Sequence, residues 1–162
     1  MKKSKSLPRI LSVLAFIGAL VSFFCNFAAA FVDDNGRSGR GNLFTAIFAL
    51  EGGDSRNVVV PLIIGIVLIF LLIVASFTGI IMGNKGHKII GLTELVLGVA
   101  VGVLFLFALT FYGVANPDIV NTPTFTCEKL GAGPICVAVF AFFSAFLGLL
   151  TILLGKKEIA VE

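Results

Sequence analysis

Charge is what this sequence has least of. Of its 162 residues, 12 are Lys or Arg and 9 are Asp or Glu, so 13% are charged, while 58% are hydrophobic. Soluble domains carry about 25% charged residues. A chain this poor in charge has too little polar surface to cover a water-soluble globule, and lipid must cover the rest. Histidine is almost missing: His87 stands alone, whereas a metal centre needs three or four converging ligands. No metal and no cofactor is therefore expected. The three cysteines, Cys25, Cys127 and Cys136, form no C-x-x-C pair, which excludes the motif dithiol of membrane thiol oxidases. No nucleophile with a base and no pair of carboxylates is visible, so the chain is not read as an enzyme. Basic runs are too short to propose a patch for nucleic acid.

What is present is four long apolar stretches, about 10–32, 58–82, 89–114 and 135–154. Each has at least the roughly 20 residues that a helix needs to cross about 30 Å of hydrocarbon. They are apolar on every face, so the alternating pattern of a membrane barrel is excluded, and an isolated strand would leave its backbone unsatisfied in lipid. The expected fold is all-α: a single domain over 1–162, a compact four-helix transmembrane bundle running up-down-up-down. A different reading takes the first stretch as a cleaved signal peptide, with Ala28, Ala29 and Ala30 at the cleavage site. Its apolar core is longer than the 7–15 residues usual for such a segment.

The basic residues are sorted by side. Lys2, Lys3, Lys5 and Arg9 precede the first stretch, Lys85 and Lys88 separate the second from the third, and Lys156 and Lys157 follow the fourth. The other two connections hold Arg37, Arg40, Arg56 and Lys129 against Asp33, Asp34, Glu51, Asp54, Asp118 and Glu128. The positive-inside rule places 1–9, 83–88 and 155–162 in the cytoplasm and 33–57 and 115–134 outside. A multi-pass plasma-membrane protein with both termini cytoplasmic is expected, and the Met-Lys-Lys start suits a bacterial membrane.

Within the first outer connection, Asn42 can cap a short helix that Gly52 ends. Leu43, Phe44, Ile47, Phe48 and Leu50 form one apolar face of it. Too short to cross the bilayer, this segment is read as an interfacial helix on the outer surface or as a lid packed on the tops of the spans. In the second connection Cys127 lies nine residues before Cys136. On the oxidising side a structural disulfide between them is expected, with Cys25 a buried thiol.

Small residues recur four apart: Ala15 and Ala19, Gly79 and Gly83, Gly98 and Gly102, Ser144 and Gly148. Such pairs let helix backbones approach closely in lipid. Glu94 is the only acidic or basic residue well inside a span, and Gly91, Gly98 and Gly102 share its helical face. A carboxyl there marks a functional site by default. It is either a proton- or cation-handling group or a structural one paired with Lys85, His87 or Lys88.

These features favour a small tetraspan acting as a subunit, scaffold or accessory protein of a membrane assembly. Its partners would be the lipid bilayer and further copies of itself or other membrane proteins. The alternative is an oligomeric ion or small-solute transporter or channel using Glu94. The layout is similar to that of claudin- and MARVEL-type tetraspan proteins, but the chain lacks the claudin Trp-Gly-Leu-Trp-Cys-Cys signature, having no tryptophan at all, and no family is assigned.

Overall fold

The computed structural model describes residues 7–32, 41–50, 57–82, 86–117 and 129–159, with the backbone alone described over 155–159. It contains α1 (Leu7–Phe24) followed by a 3-10 turn (Cys25–Phe27), β1 (Phe31–Val32), α2 (Leu43–Phe48), α3 (Val60–Met82), α4 (His87–Leu106), α5 (Ala108–Ala115), β2 (Lys129–Leu130) and α6 (Ala132–Ile159). Among the described residues, four helical segments are long and apolar enough to cross a membrane: Leu7–Phe27, Val60–Met82, His87–Leu106 and Ala132–Leu154.

Each of these long helices has an inner face of small and aliphatic residues and an outer face that is also apolar. On α3 the buried side is Leu62, Gly65, Ile66, Ile69, Leu72, Ser76 and Gly79, at the three- and four-residue spacing of one helical stripe. Its opposite side shows Ile64, Val67, Phe70, Val74, Phe77 and Ile81, each half or more exposed. A soluble helix would carry charge there. Pro61 and Pro134 lie in the first turns of α3 and α6, where a missing N–H breaks no helical bond.

The helices meet through their small residues, and contacts run in opposite sequence directions along each packed pair. A methyl group built on Gly98 of α4 would lie 2.6 Å from the Ala141 carbonyl oxygen and 2.9 Å from the Ala145 Cβ on α6; one on Gly148 would lie 2.6 Å from the Gly91 carbonyl oxygen. The Phe142 ring closes over Gly102, the Phe105 ring over Gly65, and Gly79 of α3 sits against Ser12 of α1 and Ile90 of α4. Every glycine here is a place where a neighbour occupies the space a side chain would need. Gly83 lies outside the described residues.

Two segments depart from the continuous helices that hydropathy suggests. The first stretch is apolar to Val32, but its helix ends at the 3-10 turn and Ala28 is extended (φ −86°, ψ 169°). The carbonyls of Ala28, Ala29 and Ala30 accept from the backbone N–H groups of Leu43 (2.9 Å), Gly133 (2.8 Å) and Gly131 (2.9 Å), and β1 pairs antiparallel with β2, Phe31 opposite Leu130. These partners satisfy the backbone as a further helical turn would have, and so they compete with it. In the third stretch the backbone is distorted at Phe107 (φ −92°, ψ 12°), yet Phe107 N–H still donates to the Val103 carbonyl and Phe111 N–H to Phe107. α5 continues the same path and brings Tyr112 against Phe31, ring centroids 4.7 Å apart.

At this strand-bearing end α2 closes over the bundle. Asn42 Oδ1 caps it by accepting from Thr45 N–H at 2.8 Å, and Leu43 and Ile47 are wholly buried. Phe44 stacks on Phe27 and tilts against Phe48, both rings remaining half-buried. Leu50, expected on the same face, is exposed.

Candidate functional site

The helix bundle buries a sparse set of polar side chains, and most of them use backbone carbonyls as partners. Ser144 Oγ on α6 lies 3.1 Å from the Ala15 carbonyl oxygen on α1 and 3.1 Å from that of Phe140 on its own helix. Ser22 on α1 donates to the Val137 carbonyl at 3.3 Å, Thr151 to Leu147, and Asn26 Nδ2 to Ser22 and Phe23. Such bonds satisfy a hydroxyl or amide inside hydrocarbon.

Asn26 Oδ1 and the Ser76 hydroxyl lack a partner, and so do both oxygens of Glu94. Glu94 is completely buried on α4, on the stripe it shares with Gly91, Gly98 and Gly102. Gly148 of α6 comes so close that a methyl built there would lie 2.9 Å from the Glu94 Cβ. Ser76 of α3, also wholly buried, presents its hydroxyl to the carboxyl from the other side, but neither carboxyl oxygen nor the Ser76 hydroxyl completes a hydrogen bond. A carboxyl held this way is costly in apolar surroundings unless it is protonated or acquires a partner. Of the partners expected from sequence, Lys88 is exposed and Lys85 lies outside the described residues. His87 begins α4, seven residues and about 10 Å along the helix from Glu94. No described residue hydrogen-bonds the carboxyl. No group of three or more His, Cys, Asp or Glu side chains able to hold a metal occurs among the described residues.

At the strand-bearing end, Asn57 and Asn116 form a reciprocal clamp invisible in the one-dimensional pattern. Asn57 N–H donates to Asn116 Oδ1 at 2.7 Å, Asn116 Nδ2 donates to the Asn57 carbonyl at 3.2 Å, and Asn57 Nδ2 donates to the Ala115 carbonyl at 2.9 Å. It ties the chain entering α3 to the end of α5. Asn116 is buried, and its position directly after an apolar stretch was the one available signal. Of the expected disulfide, Cys127 lies outside the described residues. Cys136 is a free thiol in the structure, and its neighbour is Cys25.

Comparison with family models, with curated proteins and with solved structures finds no match to the chain.

Proposed function

We propose that the chain is a multi-pass plasma-membrane protein of bacterial type, an up-down-up-down four-span bundle that serves as a subunit, scaffold or accessory protein of a membrane assembly. Both termini and the turn before α4 lie in the cytoplasm, following the eight Lys and Arg residues sorted to that side. The strand-bearing end lies outside, with Phe27, Phe44 and Phe48 at the membrane surface. The observation that carries this reading is the division of faces. The described small residues are spent on contacts within the chain, and the surface left over is a belt of large apolar side chains. That belt suits lipid or another apolar helix. Catalysis is no part of this reading.

Extraction in a gentle detergent followed by mass measurement tests it. A homo-oligomer or a co-purifying membrane protein is the expected result; a lone monomer counts against assembly.

A second reading, transport of protons or small cations in an oligomer, is favoured by one observation: Glu94 is fully buried with neither oxygen hydrogen-bonded. Ionisable groups in spans commonly line ion paths. Glu94→Gln in reconstituted liposomes separates the two. Loss of a measurable flux supports transport, and an unchanged flux assigns Glu94 to the scaffold.

A further inference from the structure

We propose that Cys25 and Cys136 form a redox pair that closes into a disulfide between the first and last long helices. The register of α1 on α6 places them together. Ser144 Oγ meets the Ala15 carbonyl, and Ser22 Oγ reaches the Val137 carbonyl. A methyl built on Gly133 would lie 3.2 Å from the Cys25 carbonyl oxygen. Residue numbers rise along α1 as they fall along α6, so Cys25, one turn beyond Ser22, falls opposite the turn between Gly133 and Val137. Cys136 is in that turn. The two side chains are neighbours, both thiols are uncombined and both are partly exposed. The helices are held at this point by the Ser22 bond and by Gly133 N–H donating to Ala29, which keeps the two cysteines on facing turns.

The chemistry is thiol–disulfide exchange with a small disulfide as oxidant. One cysteine attacks the donor, forming a mixed disulfide and expelling one thiol. The other cysteine attacks that mixed disulfide, forms the Cys25–Cys136 bond and expels the second thiol. The two protein sulfurs are oxidised, the donor is reduced, and the protons of the two cysteines leave on the released thiols. The bond would join residues far apart in the chain and fix α1 to α6 beneath the β1–β2 pair. Its encounter with an oxidising compartment rests on the orientation proposed above.

The full-length protein, purified in detergent under reducing conditions and then freed of reductant, is treated with one equivalent of 2,2′-dithiodipyridine. Remaining thiols are blocked with N-ethylmaleimide and the chain is digested without reduction. A peptide pair linked through Cys25 and Cys136, with Cys127 recovered blocked, is the expected result. Cys127→Ser should give the same linked pair and release two thiopyridones per bond. A Cys127–Cys136 link in the unsubstituted protein, or Cys25 and Cys136 recovered as separate blocked or mixed-disulfide peptides from either protein, overturns the proposal. The orientation is tested apart from this, by labelling a C-terminal tag from outside intact cells; its failure leaves the detergent result unaffected.

Discussion

The two ends of the bundle differ in how fully their buried polar groups are bonded, although Asn26 Oδ1 at the strand-bearing end lacks a partner and Thr151 toward the other end has one. At the strand-bearing end, Asn57 and Asn116 exchange hydrogen bonds, Asn42 caps α2, and the carbonyls of Ala28, Ala29 and Ala30 are bonded by Leu43, Gly133 and Gly131. Toward the other end, Glu94 and Ser76 are as deeply buried and have no hydrogen bond. Satisfied groups there specify how segments meet. An unsatisfied carboxyl contributes nothing to that task and costs stability.

The contrast can be broken by substitution. The largest effect is expected where helices touch through glycine. Gly98→Leu would drive a side chain into the Ala141 carbonyl and Ala145, and overpacking of a tight core costs about 1–3 kcal/mol, occasionally more. Loss of a monodisperse folded species in detergent is the expected outcome; near-normal unfolding would show that the α4–α6 seam can open. Next comes Asn116→Leu, which unpairs the Asn57 N–H and carbonyl. Asn57 is exposed and its backbone groups can turn to water, so the loss is about 1 kcal/mol, readable as a lower unfolding midpoint.

Glu94→Leu sharpens the comparison by sign. Removing a buried carboxyl that bonds nothing should leave stability unchanged or raise it by about 1 kcal/mol. A clear loss of stability would reveal a structural partner for Glu94. Asn42→Ala removes the α2 cap, a change worth about 1 kcal/mol, and should raise hydrogen exchange across 43–48 while sparing α3. Smallest is Val74→Ala on the outer belt, within about 0.5 kcal/mol. A change in oligomeric mass from that substitution would mark α3 as a partner surface.

The four long apolar helices were legible because hydropathy and helical period are local properties of 20 or so residues. Glu94 was legible as a buried residue for the same reason: Gly91, Gly98 and Gly102 share its stripe, and a stripe of small residues faces another helix. Its expected partners were not. Lys88 is near in sequence but exposed, whereas Ser76 comes from a different helix. The end of the first helix was also misplaced by hydropathy. Ala28 to Val32 are as apolar as the span before them, and it is the N–H groups of Leu43, Gly131 and Gly133 that bond the Ala28, Ala30 and Ala29 carbonyls outside the helix.

By itself the sequence determined the apolar surroundings, the number of long apolar helices, the alternation of basic and acidic connections, and the small-residue stripes along which helices could meet. All of these follow from composition and from a period of 3.6 residues. Only the tertiary structure decided which stripe met which, and so that Cys136 lies beside Cys25, that Asn57 faces Asn116, and that Glu94 is left without a hydrogen bond. Each of these depends on axial register between helices far apart in the chain. Register is set by the sum of many close contacts, such as Gly98 on Ala141 and Ser22 on Val137, and no single segment carries it.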